Sequence, residues 1–292
     1  MTMEFHLFLP QLRMTMDAIV ERAQSAEAAG FSGIAFMDHL APPAAEGHPM
    51  FDAMATASWV AANTSRLSIG HLVLCDAFRH PAVLAREIVS LDHASGGRVE
   101  LGIGSGSVPG ELTTFGVQVD GRRVDRLGET LEVLELLWTG EPVDYDGRFH
   151  HLRGAQQLPV PTRPIPIVVG GAGPRTMELV ARHADWWNLP GNEADRLSEL
   201  RPAAGRASAS LQTIVAYVAD DARREDVTTT AERRFGWAAS GPAFAAGTGA
   251  ELVEHFSQLH ENGVERFYTW FTDFAPVDTV AGFGAEVIGS CP

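Results

Sequence analysis

Cysteine is almost missing from this chain. Cys75 and Cys291 stand far apart, with no CxxC and no Cys/His cluster at metal-ligand spacing. Neither a disulfide framework nor a metal site is therefore expected, and a reducing cytoplasm is the expected, cytoplasmic setting. Positive charge is scarce as well: 22 basic residues face 37 acidic ones, for a net charge of −15. That balance excludes the basic stripe a nucleic acid needs and disfavours an anionic membrane surface. An anionic group on a small-molecule ligand must then be held locally, by backbone N–H groups and a few arginines. No apolar run approaches the roughly 20 residues of a membrane span. The opening MTMEFHLFLP has neither the basic region nor the long apolar core of a signal peptide. HExxH, GxSxG and Walker loops are also absent.

What is present is ordinary globular material, 45% apolar and 20% charged, so a large core is possible and disorder is not expected. Short β-rich runs alternate with longer amphipathic ones. Strands are expected over 5–9, 33–37, 67–74, 98–103, 165–169, 185–189, 211–218 and 266–271. Helices are expected over 15–29, 51–63, 81–94, 122–138, 174–183, 250–261 and 276–288. Parallel strands need crossover helices, and about eight βα repeats in this length favour a closed (β/α)₈ TIM barrel over an open sheet. Without a linker rich in Pro, Gly or Ser, residues 1–292 read as one domain. Two stretches break the rhythm, 140–164 and 223–249. The first holds a hairpin-like VDYDGRFHHL with Asp146-Gly147 as its turn. Both read as insertions near the C-terminal mouth of the barrel, where loops carry function.

In such a barrel reactive groups lie just past the carboxyl ends of the strands. Those positions hold Asp38 and His39; Leu72, Val73 and Cys75; Ser105, Gly106 and Ser107; Gly170, Gly171, Ala172 and Gly173; Trp187 and Asn188; and Thr272 and Asp273. His39 is the catalytic candidate, since imidazole titrates near neutrality and Asp38 is placed to orient it. A lone histidine is more often a structural hydrogen-bonder, and its place after an apolar strand is what favours function. GIGSGS lacks the spacing of a dinucleotide fingerprint. Its glycines read instead as backbone that a flat ligand must approach closely. The run from Val168 to Pro174 ends a strand, turns on glycines and starts a helix, an arrangement that offers amides to an anion. A tight turn with nothing bound is the plainer reading of it. Trp187 and Asn188 are substrate candidates, with burial in the core as the alternative for the tryptophan. His150 and His151 are expected to be solvated.

Four motifs occur in order along nearly the whole chain: AEAAGFSGIAFMDHL, LSIGHLVLCDAFRHPAVLARE, LDHASGGRVELGIGSG and PIPIVVGGAGPRTMELVARHADWWN. As a set they resemble the bacterial-luciferase-like family of flavin- and deazaflavin-dependent oxidoreductases. That resemblance implies a TIM barrel with Asp38 and His39 at the cofactor ring and a non-proline cis peptide at Leu72–Val73 behind it. It also implies that Ser105, Gly106 and Ser107 line the ring and its ribityl chain, and that Gly170, Gly171 and Ala172 cradle the phosphate. Two positions depart from the family's sugar-phosphate dehydrogenases, which carry a glutamate where this chain has Ser107 and a tryptophan where it has Pro43. The Asp-His pair and the compact length favour coenzyme F420, a hydride carrier. FMN, which can also activate oxygen, is the alternative, with a flavin reductase as partner. A homodimer is expected. A binding barrel without catalysis is the third reading.

Overall fold

The βα repeats close on themselves. The computed structural model describes residues 3–43, 45, 47–118, 121–238 and 241–291. Its first half runs β1 (Glu4–Phe8), α1 (Met16–Ala28), β2 (Gly33–Phe36), α2 (Ala53–Asn63), β3 (Ser68–His71), β4 (Leu74–Cys75), α3 (Pro81–Ser95), β5 (Leu101–Gly104), α4 (Pro109–Thr114) and α5 (Arg123–Leu137). After the hairpin β6 (Val143–Asp146) and β7 (His151–Ala155) come β8 (Ile167–Gly170), α6 (Pro174–His183), β9 (Trp186–Leu189), α7 (Leu197–Leu200) and β10 (Ser208–Tyr217). α8 (Arg224–Phe235), β11 (Phe244–Gly247), α9 (Gly249–Glu261), β12 (Val264–Phe271) and α10 (Val277–Glu286) complete it. Parallel pairing follows the order β3-β2-β1-β12-β10-β9-β8-β5-β4. The two ends of that path are halves of one stave, broken at residues 72 and 73, and a parallel bridge from Ile69 to Val99 joins the upstream half to its neighbour. The barrel therefore has the eight staves expected. β11, an addition, pairs with β10.

Helix starts are written locally. Thr15 and Asp52 cap α1 and α2 through side-chain oxygens, and Pro81 and Pro174 occupy first-turn positions where a missing N–H costs nothing. The apolar face of β1 and β12 packs outward on α9 and α10, with the Phe5 ring 5.1 Å from Phe256 and 5.7 Å from Phe283. Inside, the lower end of the barrel is filled by an ion cluster. Arg266, 3% exposed, binds Glu4 at 2.7 Å and Glu100 at 2.8 Å and lies 3.7 Å from the centre of the Trp186 ring. Burial alone would raise the Glu4 carboxyl; hydrogen bonds from His6 and Arg266 outweigh it and hold the group at about 2.

The 140–164 excursion follows a helix rather than a strand, so it leaves from the end opposite the mouth. There the backbone N–H and hydroxyl of Thr162 donate to Asp92 near the end of α3. Its tip then climbs α5 to the mouth's edge, where Arg148 and Phe149 share a cavity with Asp76 and Ser105. The turn is wider than Asp146-Gly147: Asp146 pairs with His151, leaving four residues in the loop. Glu129 explains this, accepting the amides of Arg148, Phe149 and His150 at 2.7, 2.8 and 3.1 Å. His151 is exposed, but His150, expected in solvent, is buried with Nε2 3.0 Å from Thr130 Oγ1.

His71, at the end of β3, is 1% exposed and its Nδ1 has no hydrogen-bond partner among the described residues. Loss of water pushes its pKa down to about 4, against a weaker opposing pull from Asp38. Above pH 6.5 the ring is neutral whether folded or not. Below that, the unfolded chain takes up a proton that the folded one refuses until about pH 4, so stability falls as pH drops through this window. The expected loss from this group is about 2 kcal/mol at pH 5. Urea titrations at pH 7.5, 6 and 5 check it, and a folded His71→Gln variant should show a flatter profile.

Candidate active site

The carboxyl ends of the staves surround a cavity of about 420 Å³. Its wall includes Asp38, His39, Leu72, Val73, Cys75, Ser105, Gly106, Ser107, Gly170, Gly171, Ala172, Gly173 and Asn188, so thirteen of the sequence candidates meet in one place. Trp187 does not. It is fully buried in the core, and its indole N–H donates to the Gly171 carbonyl at 2.7 Å. Side chains alternate along a strand: Trp186 and Asn188 face the barrel interior while Trp187 faces the helices. Thr272 and Asp273 belong to a separate cavity beside α8 and α10.

Asp38 is not the partner of His39. One of its oxygens accepts from the Cys75 amide at 2.8 Å, and both accept from the Arg79 guanidinium at 2.6 and 3.2 Å. This fork ties the end of β2 to the end of β4. The Cys75 thiol is pushed up to about 11 by burial, which keeps it protonated and unreactive.

His39 is held instead by Glu111. Nδ1 lies 2.9 Å from Glu111 Oε2, while Oε1 accepts the amides of Leu40 and Ala41 at 2.6 and 2.9 Å. Both side chains are largely buried, at 16% and 7% exposure. A carboxylate at Nδ1 selects the tautomer that donates there and leaves Nε2 as the acceptor available to the cavity. Glu111 comes from α4, which no periodic signal announced. The readable clue was Pro109 followed by an acidic residue, the pattern of a helix's first turn.

The glycines of GIGSGS have a different reason from the one expected. A Cβ on Gly102 would lie 1.7 Å from the His71 carbonyl oxygen, one on Gly104 2.7 Å from Val73 Cγ2, and one on Gly106 3.0 Å from Cys75 Sγ. They make room for the broken third stave, where the Leu72–Val73 peptide is cis as the resemblance implied. At the other candidate cradle, Gly171 has φ +136°, its N–H donates to the Asn188 carbonyl at 3.1 Å, and Gly173 caps α6. The first-turn amides of α6 have no helical carbonyl to serve, which suits an anion. Among the described residues no arginine lines the cavity. All 22 basic residues of the chain are arginine, and the nearest ones are engaged: Arg79 with Asp38, Arg123 with the Gly106 carbonyl, and Arg126 with Asp76.

Residues 3–290 match the model of the luciferase-like monooxygenase family. The chain belongs to that family. Among curated proteins, this luciferase-like chain is 36% identical to an F420-dependent hydroxymycolic acid dehydrogenase of Mycobacterium tuberculosis, over 59% of this chain and 48% of that protein. It is also 36% identical to an F420-dependent glucose-6-phosphate dehydrogenase of Gordonia bronchialis, over 57% of this chain and 49% of that protein. It thus spans about half the length of these relatives. Among solved structures, an F420-dependent secondary alcohol dehydrogenase superposes with a TM-score of 0.83 over 100% of both chains at 18% identity. A monooxygenase from Streptomyces bottropensis gives 0.83 over 98% of this chain and 99% of that one at 21% identity. At such identities the structural likenesses establish the luciferase-like barrel and no more.

Proposed function

We propose that this chain is an oxidoreductase that binds coenzyme F420 and moves a hydride between it and a small organic substrate. The observation that carries the reading is the His39–Glu111 pair, set in the same cavity as a glycine-turned helix start. The F420-dependent relatives at 36% identity support the choice of cofactor. The residues fit the group: Leu72, Val73 and the backbone of residues 105–107 in one wall for a ring, and the first-turn amides of α6 rather than cations for a phosphate. Once bound, the deazaflavin would supply or accept the hydride.

The chain's own part is positioning and proton management. The backbone of residues 171–173 and the start of α6 hold the anionic end, while Leu72, Val73 and residues 104–107 flank the ring. Glu111 fixes the tautomer of His39. His39 Nε2 then takes the hydroxyl proton when an alcohol is oxidised and returns it when a carbonyl is reduced. Asp38 keeps the third stave in register through the Cys75 amide.

Protein purified from a host that makes both cofactors tests the reading. A bound chromophore with the deazaflavin spectrum, and hydride exchange with carbonyl or alcohol substrates, is the expected outcome. Bound FMN with oxygen consumption would replace it with the monooxygenase reading. Gly171→Val should weaken F420 binding more than tenfold, about 1.4 kcal/mol, because its φ of +136° suits glycine and a Cβ would stand 3.0 Å from Thr176 Cγ2. Unchanged affinity in the folded variant would remove this turn from the site.

A further inference from the structure

A second cavity, of about 240 Å³, adjoins the candidate active site and shares Pro190 and Gln212 with it. Ile214, Trp237, Pro242 and Phe244 supply its apolar wall, and none of the described residues that line it is charged. The grading from polar to apolar is built into β10. Side chains two apart on a strand share a face. Ser210 lies deepest, its hydroxyl 3.3 Å from Asn188 Oδ1; Gln212 stands at the seam between the cavities; Ile214 lies in the annex. The Gln212 amide has no hydrogen-bond partner among the described residues. Trp237 is 69% exposed at the rim, an unusual position for so large an apolar ring, and Phe235 and Trp270 back it with ring centres 6.4 Å away.

The charges narrow the occupant. Among the described residues no arginine lines either cavity, and Glu111 stands in the larger one. A phosphorylated or carboxylated substrate lying here would lose water and gain no counter-ion, an uncompensated penalty. An uncharged molecule with an apolar body loses little and covers Trp237, Ile214 and Phe244.

Resting on the oxidoreductase reading above, we propose that the annex seats the apolar body of an uncharged aryl or alicyclic ketone and its secondary alcohol, with Gln212 meeting the polar end where the two cavities join. The annex is thus the specificity pocket, and Trp237 and Gln212 are the residues that select the substrate.

Ligand-observed NMR on the purified protein, with acetophenone, ethylbenzene and glucose 6-phosphate as probes, tests this without any turnover. Acetophenone is expected to bind and glucose 6-phosphate not to. Trp237→Ala, a change at an exposed residue that leaves folding intact by circular dichroism, should raise the acetophenone Kd at least tenfold. Gln212→Leu should weaken acetophenone severalfold while leaving ethylbenzene, which lacks the carbonyl, unaffected. Tighter binding of glucose 6-phosphate than of acetophenone, or an acetophenone Kd indifferent to Trp237→Ala, would overturn the proposal. The two readings fail separately: ketone binding without F420 binding removes the cofactor reading and keeps the annex, whereas F420 binding without ketone binding does the reverse.

Discussion

His39→Ala is expected to lower turnover by about 10² to 10⁴, the usual worth of general acid–base catalysis, while the dissociation constant for F420 changes less than threefold. The reason is positional. Nε2 is the one ring nitrogen left to the cavity once Nδ1 is given to Glu111, and its removal takes away a proton carrier without touching the glycine turn at residues 171–173. His39→Gln separates the two tasks a histidine performs. It keeps a hydrogen bond but cannot titrate, so near-native turnover in that variant would reduce His39 to a positioning residue. Glu111→Gln is expected to fall between wild type and His39→Ala. Its amide oxygen can still accept from Leu40 and Ala41, but the side chain no longer presents a carboxylate to Nδ1 and so no longer fixes the tautomer of the ring. Stopped-flow hydride transfer across pH 5 to 9 reads all three variants.

Gly102→Ala is expected to abolish stable folding or to cost more than about 4 kcal/mol, a size reserved for severe packing failures. The added methyl carbon would stand 1.7 Å from a backbone oxygen, that of His71, and a carbonyl in a paired stave cannot swing aside as a flexible side chain does. Gly110→Ala is the matched control: nothing lies within 4 Å of a Cβ there, and Gly110 is in α4. That variant should lie within about 1 kcal/mol of wild type, in the direction of gain. Soluble Gly102→Ala protein with a wild-type urea midpoint would mean that the third stave lies elsewhere.

What was legible beforehand divides by the range of the cause. The turn at residues 170–173 was readable because strand, glycines and Pro174 lie side by side in the chain, and α6 spans the residues expected of it, Pro174–His183. Asp38 and His39 were readable for the same reason, at the end of a short apolar run. The purpose of Gly102 was not, since the atom that demands it belongs to His71, thirty-one residues earlier and in a neighbouring stave. Glu111 was missed because α4 is six residues long, too short to show a period, and its partner His39 is 72 positions away. Trp187 follows the alternative of core burial: in β9 the period-two alternation turns it outward to the helices and Asn188 inward to the cavity. In the 140–164 excursion, the turn residues were seen but not the carboxylate of Glu129 that widens the loop.

The attachment of His39 to α4 bears on how this barrel can be recombined. Barrels invite exchange of one βα loop at a time, on the premise that each loop is anchored only by its own strand. Here the segment after β2 is held by an acid carried after β5, which grips both the imidazole and the amides of Leu40 and Ala41. A chimera that imports residues 38–43 from a relative without residues 105–114 keeps Glu111 but sets it against a loop of foreign backbone path, so the imidazole and the two amides no longer fall on its oxygens. The two loops form a single crossover block, and libraries that respect that block should retain active members far more often than those that cut through it.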